Sequence, residues 1–166
     1  NGANDAIYAV DSRGRDTAAL VSIDTTTGEA TVIAENDKAD ISDAMLHPVT
    51  YEPMAYASEY LRAEWEALTD EAAADLAFLE GQLDGDIEIL SATDDLSRMV
   101  VYSESAVAPG VYYMYDRKAK TLTEMFKTRP GLADAPLQPM YPVEITSRDG
   151  LALVSYLTLP PGADAD

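Results

Sequence analysis

The chain has no cysteine. That excludes a disulfide framework and a thiolate zinc site, and it fits a cytoplasmic protein without excluding a periplasmic one. Basic residues are scarce: 11 Lys and Arg stand against 30 Asp and Glu, a formal charge of −19. Such a surface repels phosphate backbones and anionic lipid, so neither nucleic acid nor a membrane surface is an expected partner. A well-solvated acidic surface accounts for the excess; an acidic funnel for cationic substrates is the sharper alternative. No apolar run approaches the roughly 18 residues of a membrane-spanning helix, and no basic segment followed by an apolar one marks a signal peptide. There is no HExxH, no CxxC and no Gly-rich phosphate loop. None of the nine glycines has serine two positions later, so the G-x-S-x-G nucleophile elbow is missing as well.

What is present is ordinary in amount: 47% hydrophobic and 25% charged residues over 166 positions, enough for a packed core. The order is more telling. "IYAVDSRGRDTAALVSIDTTTGEATVIA" (Ile7–Ala34) aligns without a gap on "MVVYSESAVAPGVYYMYDRKAKTLTEMF" (Met99–Phe126), 92 residues later. Ile7 falls on Met99, Val10 on Tyr102, Val21 on Tyr113, Ile23 on Tyr115 and Asp24 on Asp116. Half the offset is close to the ~40–50 residues of one four-stranded propeller blade. A middle copy is therefore expected near Pro53, where "PMAYASEY" alternates as a strand and "DAMLHP" precedes it as the inner strand.

One segment breaks the strand pattern. Ala72, Leu76, Leu79 and Leu83 recur at helical spacing, Thr69 can cap the start, and Asp70 and Glu71 suit the positive end of the helix dipole. A helix over 69–84 is expected, inserted between strands of the middle blade. After Phe126 come Pro130, Pro136, Pro139 and Pro142, too many for a strand interior. Residues 129–142 read as an extended linker. Beyond it, 143–166 read as a hairpin turned by Asp149–Gly150, with glycine supplying the positive φ of a two-residue turn. A lone hairpin is only marginally stable, so it needs a further sheet.

Few residues invite chemistry. His47 sits before a proline at a strand end and reads as structural, not as one member of a triad. Asp37, Asp40 and Asp43 lack the loop of an EF-hand and read as caps and turns. Glu64 and Glu66 flank Trp65; a carboxylate pair for glycoside hydrolysis is conceivable, but strand alternation with Trp65 inward explains them with less assumption. Tyr112, Tyr113 and Tyr115 could stack on sugars or peptides, yet tyrosine also forms strands and packs between sheets. Catalytic, cofactor-binding and metal-ligating residues are all expected to be none.

The hairpin "PVEITSRDGLALVSYLTLPPG", the "RP…L…P" linker before it, and "AEWEALTDEAAADLAFL", "DDLSRMVVYSES" and "GVYYMYDRKAKTLTEMF" upstream resemble the prolyl oligopeptidase-like serine peptidases. The likeness is greatest to the bacterial dipeptidyl and acylaminoacyl peptidase branch, where the β-propeller leads into the α/β-hydrolase domain. The resemblance implies a mainly β fold: a partial β-propeller of about two and a half blades over 1–128, one inserted helix, the linker, and the first hairpin of a truncated hydrolase domain. It implies a parent whose propeller gates access of short peptides to a catalytic serine that lies outside these residues. The competing expectation is a stand-alone β-rich interaction module that binds peptide or carbohydrate. Exposed strand edges favour self-association in either case, by swapping of the terminal hairpin among other routes. The pure chain should be catalytically silent; turnover of a chromogenic dipeptide substrate that tracks the purified protein would contradict this.

Overall fold

The computed structural model describes residues 5–163, and they form four antiparallel sheets strung out in sequence order. The first contains β1 (Ala6–Asp11), β2 (Ala19–Asp24) and β3 (Ala30–Ala34). The second contains β4 (Ile41–Leu46), β5 (Pro53–Glu59) and β6 (Ala63–Ala67), after which the helix α1 (Asp70–Glu80) follows. The third contains β7 (Asp86–Ala92), β8 (Arg98–Ser105), β9 (Ala108–Asp116) and β10 (Thr121–Lys127). A hairpin of β11 (Met140–Thr146) and β12 (Ala152–Thr158) ends the described chain. The protein is mainly β, an open propeller-like stack in which no sheet closes on itself.

The 92-residue repeat is real at the level of backbone register. Ile7 pairs with Ile23 as Met99 pairs with Tyr115, and Val10 pairs with Leu20 as Tyr102 pairs with Tyr112. Even the irregularity recurs: β3 skips Ile33 between Val32 and Ala34, and β10 skips Met125 between Glu124 and Phe126. Such a bulge leaves one residue unpaired and tightens the twist. The turns match too. The Asp24 carboxylate accepts the N–H of Thr27 at 2.7 Å, and Asp116 accepts that of Ala119 at 2.9 Å. The next residue is left-handed in both copies, Gly28 at φ 74° and Lys120 at φ 51°.

The middle sheet carries the core. All five residues from Met54 to Ser58 are buried, because β5 is covered on both faces. Toward the first sheet, Tyr56 and Ile41 pack against Leu20 and Ala34. Toward the third, Met45, Met54 and Ala55 join Leu76 and Leu79 of the helix with Met99, Val101 and Tyr115. Trp65 points inward, and its indole N–H donates to the Ile87 carbonyl at 2.7 Å, tying the second sheet to the third.

The helix departs from expectation in two ways. It follows β6 instead of interrupting the sheet, taking the place in chain order of a fourth strand. It also ends at Glu80, where Gly81 is the C-cap, short of the expected 84; glycine weakens a helix interior, and Leu83 closes only one further turn onto the Leu79 carbonyl. Its start is as expected, with the Thr69 hydroxyl accepting the Ala72 N–H at 3.2 Å.

Three bounds near the C-terminal end also shift. Within 129–142, residues Pro130–Leu132 form a 3-10 turn, and Met140 to Pro142 already belong to β11. Pro142 is tolerated because a two-stranded ribbon leaves edge positions that need no donor. The loop spans more than the two residues expected. Ser147 bonds through its N–H to the Leu151 carbonyl, the Gly150 N–H returns to Ser147, and Gly150 sits at φ 90°. That is a three-residue hairpin loop, Arg148 to Gly150, closed by a left-handed glycine.

Gly110 is needed for packing. The Tyr102 ring lies across it, so an added Cβ would collide with that ring. Gly110→Ala is expected to cost about 1–3 kcal/mol in urea denaturation by overpacking. Gly131→Ala, where the added carbon meets nothing within 4 Å, is the control expected to leave the midpoint unchanged.

Candidate functional site

The residues that the sequence marks for chemistry are scattered. The His47 ring accepts the backbone N–H groups of Val49 and Thr50, both at 3.2 Å, and so caps the turn into β5. Asp40 accepts the Ala18 N–H at 2.7 Å, pinning the second sheet to the first, and Asp43 bonds its neighbour Ala44. Glu64 and Glu66 stand exposed on β6; Glu66 lies against Tyr56, whose hydroxyl is pushed up to about 12 by burial and then by that carboxylate. Among the described residues, no cluster of acids or His47 has the geometry to hold a metal ion. The tyrosines divide: Tyr115 is fully buried, whereas Tyr112 stacks on Phe126 and meets the Tyr102 ring at a tilt, on a half-open face.

Two clefts meet at the junction of the third sheet and the hairpin. The larger, about 590 Å³, lies between the start of β7, the β8–β9 turn and the linker end at Pro139 and Met140. Asp84, Asp86 and Glu104 line it with Arg62. The smaller, about 360 Å³, lies on the other side of Glu104, Ser105 and Ala106, beneath Arg129, Leu132 and Leu137. Three carboxylates against two guanidinium groups give this region a negative potential. The hairpin stands beside it on three bonds to the β5–β6 turn. Tyr60 donates to Glu144 at 2.6 Å, Arg62 donates to the Met140 carbonyl at 3.1 Å, and Tyr156 donates to the Leu61 carbonyl at 3.3 Å. The bond to Glu144 raises the Tyr60 pKa by stabilising the neutral phenol.

The most developed polar cluster is one the sequence reading passed over. Asp75, only 1% exposed, accepts from Tyr115 at 2.8 Å, from Arg117 Nε at 2.6 Å and from Lys120 at 3.1 Å. Lys120 also donates to the Tyr115 oxygen at 2.7 Å, and Arg117 reaches Glu71 at 3.3 Å. A signal existed: Asp75 lies on the same helical stripe as Ala72, Leu76 and Leu79, where a carboxylate must find partners. The left-handed Lys120 is explained here, since its ammonium reaches the cluster from the position that Gly28 holds in the first copy. Burial raises the Tyr115 pKa, and Asp75 adds to that. Burial opposes the Lys120 charge, but bonds to Tyr115 and Asp75 outweigh it and hold its pKa above the ordinary value.

The cluster fixes the helix to the third sheet. Asp75→Ala is expected to cost about 3 kcal/mol in chemical denaturation, since it strands Arg117 and Lys120. The raised Tyr115 and Lys120 values contribute stability that is complete below their ordinary values of 10.0 and 10.5 and is lost as pH climbs past them. The double change Tyr115→Phe with Lys120→Met should therefore flatten the alkaline limb of a stability-versus-pH curve; an unchanged limb would refute the assignment.

No family model matches the chain. Two known proteins do. It is 47% identical over 161 residues to dipeptidyl aminopeptidase BIII of Pseudoxanthomonas mexicana, an alignment that covers 96% of this chain and 23% of that protein. It is 28% identical over 127 residues to dipeptidyl peptidase family member 6 of Caenorhabditis elegans, covering 76% of this chain and 17% of that protein. The chain thus spans less than a quarter of either relative, and it is a fragment of a dipeptidyl peptidase-like protein. Repeat, hairpin and relatives agree: this chain belongs to the prolyl oligopeptidase-like peptidase family.

Proposed function

We propose that these residues form the last part of a gating propeller and the first hairpin of the hydrolase domain in a dipeptidyl peptidase-like enzyme. The chain supplies no catalytic side chain. It shapes the passage by which short peptides reach a catalytic centre outside it, and it divides at the linker, with blades over 1–128 and hydrolase from 143 onward. Both relatives carry names of dipeptidyl-releasing peptidases, which supports peptides as the substrate class.

The observation that carries the reading is the hairpin. One face is pinned to the β5–β6 turn through Glu144 and Tyr156. The other presents Tyr141, Ile145, Leu153 and Leu157 in two cross-strand pairs, each 38–51% exposed. A two-stranded ribbon with so much uncovered apolar surface is suited to be the start of a larger sheet.

The test is to express the gene's complete reading frame and to assay dipeptide anilides, longer peptides and a folded protein. Release of dipeptides from short peptides, with turnover falling as length grows, is the expected result. Cleavage of a folded protein at a comparable rate would sink the gating role, and no dipeptide release at all would sink the peptidase reading.

A further inference from the structure

The second sheet lacks the outer strand that both of its neighbours have. β3 closes the outer edge of the first sheet, and β10 closes that of the third. Half of the 92-residue repeat carries Ala30–Ala34 onto 76–80, and those residues belong to α1. The helix does not replace the strand at the edge. Its Leu76 and Leu79 join Met54, Trp65, Met99 and Tyr115 in one core, on the face between the second and third sheets. The helix itself thus leaves the outer edge of β6 unpaired, in a sheet that has another sheet packed on either side.

The phase of the ladder shows what that edge offers. The Leu68 N–H donates to the Met54 carbonyl at 2.8 Å, in register with the pairs Tyr56↔Glu66 and Ser58↔Glu64. Backbone direction alternates along an antiparallel strand, so Glu64, Glu66 and Leu68 turn their backbone groups toward β5. Ala63, Trp65 and Ala67 turn theirs outward, and none of these N–H and C=O groups has a partner among the described residues. The side chains of Glu64 and Glu66 leave the face opposite Trp65, and both are exposed.

We propose that the outer edge of β6 takes up an extended polypeptide segment as an antiparallel fourth strand, as β10 pairs with β9, and that the segment carries lysine or arginine at alternate positions. Main-chain bonds to Ala63, Trp65 and Ala67 supply the pairing. Glu64 and Glu66 fall at the positions where facing side chains of such a pair come closest, so the residues opposite them are cationic. A second copy of this chain fits badly, since it sets glutamates against glutamates. The formal charge of −19 adds attraction at longer range, and added salt should weaken the contact. The proposal concerns the outer side of the stack and does not rest on the peptidase reading.

The experiment uses the protein expressed from the complete reading frame and a short, fluorescent, N-acetylated peptide that alternates lysine with valine. The same peptide with glutamate in place of lysine is the control. Fluorescence anisotropy at low salt is expected to show saturable binding of the lysine peptide alone. Ala67→Pro removes an outward donor and no bond to β5, and it should weaken binding about tenfold. Glu64→Lys should also weaken it and should admit the glutamate peptide. An unchanged melting transition confirms the fold of each variant. No binding, equal binding of both peptides, or unchanged affinity in either variant would overturn the proposal. So would slow hydrogen exchange at Ala63, Trp65 and Ala67 in the free protein, because the edge would then already be paired by another segment or a second copy. Dipeptide release is measured separately, and its presence or absence bears only on the peptidase reading.

Discussion

Each of the three meander sheets is apolar on both faces, and a sheet cannot bury either face within itself. That constraint organises everything else. Covering β5 on both sides makes the second sheet central, and it draws Leu20 and Ala34 from one side and Met99, Val101 and Tyr115 from the other. The helix meets the same demand differently. Standing after β6, it offers Ala72, Leu76 and Leu79 where another strand would have offered alternating side chains. A stack built this way is quasi-one-dimensional, each layer leaning only on its neighbours.

A helix introduced into a sheet stack brings a problem of polarity. Asp75 is forced inward by helical period, and its carboxylate would be costly to bury alone. The third sheet answers with Tyr115, Arg117 and Lys120, all supplied by β9 and the turn after it. The two copies of the repeat diverge at this point. The first sheet keeps glycine at the left-handed turn position, as backbone preference alone would dictate. The third accepts a lysine there, because the side chain gains partners that offset the strain.

Strand alternation and a gapless internal repeat made most of the fold legible. Period-two patterning places Trp65 inward and Glu64 and Glu66 outward, and Thr69 announces the helix start. What was not legible depended on contacts between distant segments. Whether the helix interrupts a sheet or follows one is invisible in periodicity, since either order leaves the same apolar stripe. The three-residue hairpin loop was misjudged because Asp149–Gly150 satisfies a two-residue turn locally, and only the pairing of Thr146 with Ala152 decides. The Asp75 cluster was missed because its members lie 40 or more residues apart. His47 and Asp40, read from the sequence as structural, do satisfy backbone donors, which is the commoner use of polar side chains near turns.

The hairpin follows the third sheet in sequence but leans on the second. Its three polar anchors converge on Tyr60, Leu61 and Arg62, and from that turn the next rigid link is Trp65, bonded to β7. Mechanically this is a lever mounted on a fulcrum one layer back. A pull on the ribbon is transmitted to the centre of the stack before it reaches the layer from which the ribbon emerges. Load on the ribbon is thereby carried toward β5, the best-buried strand among the described residues.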